Sequence, residues 1–512
     1  TNTAARAEYP AGTRQHGMSR VTDLHTVGSV AAVLANMVGG AAAQVHGDTA
    51  TQISTVTHDS RAVDSGSLFA CLRGGRVDGH DFADAAVEAG AAALLVDHRL
   101  ESATVSGVAQ LIVDDTRLRL GPIAATLMGD PSDRMTTIGV TGTNGKTTTS
   151  LMLESIFVAH GQRVGVIGTL NGPRTTPEAP ELQRRLADFV ADNCSAAVLE
   201  VSSHALTLHR VDGTHFDAVV FTNFGHDHLD LHGTPEDYFR AKASLFDIRF
   251  APLAVINIDD THGQLLTDVI AGNDGPSMRV VSYSVSELVD VEVTATSLSF
   301  EWNGHRIHVA MGGAFNVSNS FAAVVTATEL GVPIDDVISG LARLDAIPGR
   351  FETVAWPTGI DGEFSVIVDY AHTPDGLTEV IAAARAVVDE SASVIVVFGC
   401  GGDRDEAKRA EMGAAAAAGA DRVIVTSDNP RFEVPMQIID DVVAGVSSNY
   451  RDRVTLNPDR RQAIGEALDV AQSGDIVVIA GKGHEKTQDL GDSVVEFDDR
   501  AVAQSFMESS SR

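Results

Sequence analysis

The chain has 512 residues, 44% hydrophobic and 21% charged, which suits several globular domains with sizeable cores. Its 37 Lys and Arg against 69 Asp and Glu give a net charge of −32. That excess opposes binding to nucleic-acid backbones and requires any phosphate site to be local, built from backbone amides and a few cations. The three cysteines, Cys71, Cys194 and Cys400, follow no pairing pattern and fit a reducing, cytoplasmic setting.

The opening TNTAARAEYPAGTRQHGMSR has no apolar core, so no secretion signal is expected there. VAAVLANMVGGAAAQV is too short and too Gly-broken to span a bilayer, and no membrane role is expected. Residues 1–133 close at GDPSDRM and carry short patterns such as GSLFACL and FADAAVEAGAAALLVDH, a small α/β region. Over 134–346, TTIGV, GQRVGVIG, AAVLE, FDAVVFTN and APLAVIN alternate with helical stretches, which predicts a mostly parallel sheet covered on both faces. Within it, SLSFEWNGHRIHVAM predicts a hairpin turning at Asn303-Gly304. After the linker AIPGRFE, residues 347–512 repeat a β-loop-α pattern: FSVIVDYAHTPDG, SASVIVVFGCGGDRD, DRVIVTSDNPR and DIVVIAGKGHE. The alanine run at 414–418 predicts a helix. Ligands of open α/β sheets bind beyond the carboxyl ends of strands, so GGDRD, DNPR and GKGHE are expected to converge on one crevice.

IGVTGTNGKTTTS follows a strand and opens a helix. Gly142 and Gly145 allow a tight turn whose N–H groups face a phosphate, Lys146 supplies charge, and Thr147 offers a hydroxyl to Mg²⁺. Val140 stands where the usual loop has its first glycine, leaving the shorter G-x-x-G-K-T, which predicts ATP binding. Glu200 ends an apolar strand, where a carboxylate needs a metal or a salt bridge. His226, Asp227, His228, Asp230 and His232 form a knot that suits zinc or, beside a phosphate loop and without a nearby cysteine, Mg²⁺. Lys242 lies on a predicted helix, and spacing alone makes it a surface lysine. In TSDNPRFE, Pro430 cannot continue a strand and is expected to stiffen the turn that carries Arg431.

Together TGTNGKTTT, LEVSSHAL, TNFGHDHLDLHG, YFRAKASLF, GGAFNVSN, IPGRFE, DYAHTPD, GCGGDRD, DNPR and GKGHE resemble a Mur ligase, in order from about residue 50 to 490. They are most similar to the branch that adds the third residue of the peptidoglycan stem peptide. The resemblance implies three domains: an N-terminal UDP-binding domain, a central P-loop ATPase domain and a Rossmann-like C-terminal domain. It implies a cytoplasmic, monomeric enzyme that uses ATP to join an amino acid to UDP-N-acetylmuramoyl-L-alanyl-D-glutamate through an acyl phosphate.

By the same resemblance, nucleotide phosphates sit on Gly142, Thr143, Asn144, Gly145, Lys146, Thr147 and Thr148. Asn316 and Asn319 lie near the adenine, and Arg350 and His372 reach ATP from the C-terminal side. Thr147 and Glu200 hold one Mg²⁺, and His228 with a carbamylated Lys242 helps hold a second. Ser60, the loop Gly75-Arg76-Val77, Thr175, Thr176, Ser202 and Arg210 contact the UDP-muramoyl-dipeptide. Arg404, Asp428, Asn429, Pro430, Arg431, Gly481 and Glu485 form a pocket for meso-diaminopimelate. Its second carboxylate suits a bidentate guanidinium, and its distal ammonium suits Glu485. DNPR argues against a lysine-adding relative, and RTTPE with EVSSHAL against a folate polyglutamate synthetase. A silent ATP-binding paralogue is disfavoured because Lys146, Glu200, His228 and Lys242 are all present. Leu208, Arg174 and Val434 stand where some relatives carry glutamine, asparagine and an acid.

Overall fold

The computed structural model describes residues 25–36, 43–75, 77–102, 105–225, 227, 229–272, 275, 278–356 and 363–510. Arg76, His226 and His228 lie outside the described residues. The chain divides into two compact units, one of Thr1–Met135 with Gln183–Val190 and Asp212–Thr214, the other of the remaining residues to Arg512.

The first unit carries a five-stranded sheet in the order Gln44–His46, Ala109–Ile112, Ala93–Val96, Ser67–Ala70, Thr55–Thr57. Its pairings are parallel except for the first, which is antiparallel. FADAAVEAGAAALLVDH divides as expected into a helix, Ala83–Glu88, and a buried strand, Ala93–Val96. Phe69, Ala86, Leu94 and Val96 share one core.

The second unit contains two six-stranded sheets. In the first the order is Arg279–Tyr283, Leu253–Asn257, Ala218–Phe221, Thr136–Thr141, Ala196–Glu200, Val164–Ile167, all parallel. Near-continuous apolar runs such as AAVL are what a sheet buried on both faces requires. Ile138, Val140, Val198 and Val220 pack with Ile156 of helix Lys146–Ala159 and Phe321 of helix Phe315–Glu329. The antiparallel strands Leu298–Trp302 and His305–Val309 turn at Asn303 (φ 51°) and Gly304 (φ 77°), the left-handed pair that an Asn-Gly hairpin demands.

The second sheet runs Glu352–Thr353, Ser365–Asp369, Ile476–Ala480, Val394–Phe398, Arg422–Val425, Val454–Leu456 and is parallel apart from its first pairing. Strand periodicity sorts its residues. Ile367, Val394, Val396 and Val478 pack in a core with Leu377, Met412 and Ile439, from helices Pro374–Arg385, Ala407–Gly419 and Pro435–Ala444. Val366, Val368, Ile395 and Val477 pack in another with Ile464 and Val502, from helices Arg460–Val470 and Asp499–Ser510. The alanine run lies in Ala407–Gly419, as predicted. The loops after Asp369, Phe398, Val425 and Ala480 thus leave the sheet at its carboxyl edge.

Candidate active site

The glycine-rich loop leaves strand Thr136–Thr141 and ends on helix Lys146–Ala159. Gly142 (φ 148°) and Gly145 (φ 83°) hold conformations that L side chains rarely adopt. A Cβ at Gly142 would lie 1.9 Å from Thr222 Oγ1, and one at Gly145 2.2 Å from Asn319 Oδ1. Asn319 is held by donating to Asn316 Oδ1 at 2.9 Å, and Asn316 donates to Gly312 O at 2.7 Å. These two asparagines, buried on helix Phe315–Glu329, back the loop from below. Asn223 fixes it from the side, accepting from Thr143 N at 3.0 Å and, through Oδ1, from Asn144 N at 2.8 Å.

Lys146 folds over the loop, its Nζ donating to Gly142 O at 2.9 Å and Thr143 O at 2.8 Å. Burial pushes its pKa below the ordinary lysine value, against the pull of Glu200 and Asp227. Thr147 Oγ1 donates to Glu200 Oε2 at 2.9 Å. Glu200, 2% exposed at its strand end, also accepts from Thr169 N at 2.9 Å and Thr169 Oγ1 at 3.0 Å. Its named partners are thus hydroxyls and an amide, not the cation a salt bridge would supply. Hydroxyl and carboxylate oxygens of this kind are the hard donors that Mg²⁺ takes.

Lys242 corrects the expectation of a surface side chain. It is 1% exposed on helix Pro235–Ala243, donates to Gly142 O at 2.7 Å, and lies 4.4 Å above the Tyr238 ring. The helix docks through Tyr238, whose hydroxyl is 3.1 Å from Thr143 Oγ1, and Lys242 lies one turn further on the same face. Burial first, then the charge of Lys146, pushes the Lys242 amine well below its ordinary pKa, with Asp227 opposing. Of the histidine–acid knot, Asp227 lines the cavity and His232 Nε2 lies 3.0 Å from Ser203 Oγ.

Lys146, Thr147, Thr169, Glu200 and Asp227 line a cavity of about 560 Å³ together with Thr148, Thr175, Ser202, Arg350 and His372. Arg350 comes from the linker and reaches across: Nη2 donates to Thr147 Oγ1 at 3.2 Å, and the guanidinium lies 4.6 Å over the Tyr370 ring. His372 is held through Nδ1 at 2.8 Å from Tyr370 O, and burial lowers its pKa. Glu379 lies 3.3 Å from Asn144 Nδ2. Thr176 Oγ1 donates to Glu200 O at 2.8 Å and lies 3.3 Å from Ser202 Oγ. Arg210 donates to Thr176 O at 3.2 Å while pairing with Glu178 at 2.8 Å. Thr175, Thr176, Ser202 and Arg210 therefore stand together around Glu200.

The other expected cluster forms at the carboxyl edge of the second sheet. Arg431 carries the turn itself, with φ 50°, so the reversal falls on the arginine after Pro430. Its N–H donates to Asp489 O at 3.1 Å, Nη1 donates to Gly402 O, and Nε lies 3.6 Å from Asp489 Oδ2. Asn429 Nδ2 donates to Glu485 Oε2 at 2.9 Å. A Cβ at Gly481 would lie 2.8 Å from buried Asp428 Oδ2. Arg404 is exposed on the neighbouring GGDRD loop. DNPR, GGDRD and GKGHE do converge, as their strand-end positions predicted.

In the first unit, Ser60 opens a short turn, Ser60–Ala62, capped by Asp59. Gly75 and Val77 are exposed in a loop bridged by Arg73 and Asp78. Among the described residues, His80, Asp97 and His98 have metal-ligand spacing, but Arg73 already holds Asp97 at 2.5 and 3.2 Å. Sequence reasoning passed over Asn223, Thr169, Glu379 and Lys482. Asn223 and Lys482 lie inside TNFGHD and GKGHE, where spacing does not show which member turns inward. Thr169 and Glu379 carry no sequence signal.

The sequence matches the Mur ligase middle domain over residues 140–327, the Mur ligase glutamate ligase domain over 349–483, and the Mur ligase family catalytic domain over 52–125. A UDP-N-acetylmuramoyl-L-alanyl-D-glutamate--2,6-diaminopimelate ligase of Geobacillus kaustophilus is 42% identical, over 90% of this chain and 96% of that protein. The protein of that name from Streptomyces coelicolor is 40% identical, over 92% and 95%. A solved structure of such a ligase superposes with a TM-score of 0.65 at 33% identity, covering 92% of this chain and 98% of that one. The MurF ligase of Thermotoga maritima in complex with ADP shares the fold, with a TM-score of 0.58 at 21% identity and coverage of 89% and 96%. With all three of its regions matched in order, the chain belongs to the Mur ligase family.

Proposed function

We propose that this ligase joins meso-diaminopimelate to UDP-N-acetylmuramoyl-L-alanyl-D-glutamate at the expense of ATP, in three domains divided near 133/134 and 346/347. The single observation that carries this reading is the cavity in which Arg350, from the linker, reaches Thr147 of the phosphate loop at 3.2 Å. A carboxylate and an amine do not condense in water, because oxide is a poor leaving group. The D-glutamate γ-carboxylate attacks the γ-phosphorus and the P–O bond to ADP breaks; the amine then attacks the acyl carbon, the C–O bond to phosphate breaks, and the nitrogen gives up a proton as inorganic phosphate leaves. Bringing two anions together requires positioning and positive charge.

Gly142, Thr143, Asn144, Gly145 and Thr148 cradle the phosphates, and Lys146 and Arg350 neutralise them from opposite sides. Asn316 and Asn319 stiffen the loop from the adenine side, and His372 closes the nucleotide end. Thr147 and Glu200 suit Mg²⁺ by their oxygen donors; bound there, it supplies charge neutralisation between phosphates. His228 and Lys242, as a carbamate, are proposed for a second ion. The buried, readily deprotonated Lys242 amine is the nucleophilic form that takes up CO₂, which a ¹³C resonance from labelled bicarbonate, lost in Lys242→Ala, would report. Ser60, Gly75, Arg76, Val77, Thr175, Thr176, Ser202 and Arg210 bind the UDP substrate. Arg404, Asp428, Asn429, Pro430, Arg431, Gly481 and Glu485 bind the amino acid. The enzyme is read as a cytoplasmic monomer; among the described residues no helix is long and apolar enough to cross a membrane.

The test is ADP release with each substrate omitted in turn. Release should need ATP, the UDP-dipeptide and meso-diaminopimelate together. Equal turnover with lysine would overturn the amino-acid assignment and leave a lysine-adding ligase; sustained, multiple-turnover ADP release without any amino acid would overturn the ligase reading.

A further inference from the structure

A buried ammonium joins the DNPR and GKGHE loops. The Lys482 side chain is fully buried, and its Nζ donates to Asn429 Oδ1 at 3.2 Å, Glu485 Oε2 at 3.0 Å and Thr487 O at 2.7 Å. Three protons meet three acceptors, so the ammonium is satisfied and its position fixed. Asn429 Oδ1 also accepts from Asp489 N at 2.9 Å. With two donors on Oδ1, the amide has one orientation, and its Nδ2 is turned to Glu485 Oε2 at 2.9 Å. Both bonds to Glu485 fall on Oε2; no hydrogen bond to Oε1 is found among the described residues. Burial alone would raise the Glu485 pKa, but the Lys482 charge and these two bonds hold it below the ordinary glutamate value.

We propose that Lys482 is a positioning residue that sets amino-acid selectivity in this pocket. The inference rests on the reading of the pocket given above. The far end of meso-diaminopimelate is a zwitterion, an ammonium beside a carboxylate, whereas that of lysine is a lone cation. Lys482 cancels the charge of Glu485 while leaving one carboxylate oxygen as acceptor. With Arg431 nearby, the pocket then prefers a group carrying both signs over a bare cation. Without Lys482, the Glu485 carboxylate stands uncompensated and its partner amide is released, which favours lysine.

The experiment measures KM and kcat for meso-diaminopimelate and for lysine in wild type, Lys482→Met and Lys482→Arg, with ATP and UDP-dipeptide saturating. For Lys482→Met, kcat/KM for meso-diaminopimelate should fall roughly 10- to 100-fold, the scale of losing a charge-assisted hydrogen bond. The lysine-to-diaminopimelate ratio should rise, and KM for ATP should stay within about 2-fold. Lys482→Arg, which keeps the charge, should keep the ratio nearer wild type. An unchanged ratio in Lys482→Met, or parallel losses for both amino acids and ATP, overturns the inference. If Lys482→Met loses its cooperative thermal transition, Lys482→Gln takes its place under the same criteria. A wild-type enzyme indifferent to meso-diaminopimelate would instead sink the reading of the pocket itself.

Discussion

The two carboxyl-edge sites of the second unit handle charge in opposite ways. Around the pocket proposed for the amino acid, buried cations are paired within the chain. Arg409 bonds Glu433 at 2.8 Å and Asp441 at 2.9 Å, Arg460 meets Asp499 at 2.7 Å with both side chains fully buried, and Lys482 meets Glu485 at 3.0 Å. At the nucleotide cavity, like charges gather. The charge of Lys146 helps depress the Lys242 amine, and the charges of Asp375, Asp369 and Asp260 push the Glu379 carboxyl up. If this pocket measures a small zwitterion, as proposed, it benefits from a pre-organised, internally neutral frame. A site proposed to seat a polyanion with a divalent cation benefits from charges held in reserve for that ligand.

The sharpest way to break this contrast is to remove charge on each side. Lys146→Met should lower kcat about 100- to 1000-fold, the usual cost of one oxyanion-directed donor, without a drop in thermal midpoint, since the buried ammonium carries a desolvation cost. Phosphate release and a thermal scan of the same preparation check both halves; a large loss of midpoint would show that the lysine holds the fold. Arg431→Ala should act next most strongly. KM for meso-diaminopimelate should rise roughly 10- to 100-fold with KM for ATP unchanged, because Arg431 is tied to Gly402 and Asp489 and not to the phosphate loop. Parallel loss for ATP would show that the two sites are not separable.

The same contrast explains what was legible in the sequence. The phosphate cradle is made by one backbone segment, so its glycines, lysine and threonine appear contiguously at a strand–helix junction, and Gly142 and Gly145 stand where the spacing put them. DNPR, GGDRD and GKGHE were readable as strand-end loops because periodicity locates strand ends. What lay hidden were side chains whose roles depend on partners far along the chain. Lys242 reads as a surface residue until the helix docks on Thr143, 95 positions away, through Tyr238. Asn223 supports Asn144 from 79 positions away, and Lys482 meets Asn429 across 53. The left-handed turn at Arg431 was also unreadable, since its stiff look came from Pro430 while the strain is carried by the loop hydrogen bond to Asp489 O.

The smallest effect tests the unpaired side of the contrast. Burial, followed by Asp375, pushes the Glu379 carboxyl up to about 7 from an ordinary 4.5, with the Asn144 bond opposing. A raised acid is neutral in the folded chain while its unfolded counterpart has already ionised. Its stabilising influence is therefore complete below about 4.5 and lost as pH rises toward 7. The Glu379 carboxyl loses part of its water to its neighbours while the residue as a whole stays exposed, so screening keeps the stability change under about 1 kcal/mol. Glu379→Gln should match wild type in acid and exceed it above neutrality by a thermal shift on the order of 1 °C. A kinetic consequence follows from the same charge: as Glu379 ionises it repels the triphosphate, so KM for ATP should climb through neutral pH in wild type and climb less in Glu379→Gln. Superimposable pH profiles would mean that a cation faces Glu379 after all, and that the nucleotide cavity is compensated like the pocket beside it.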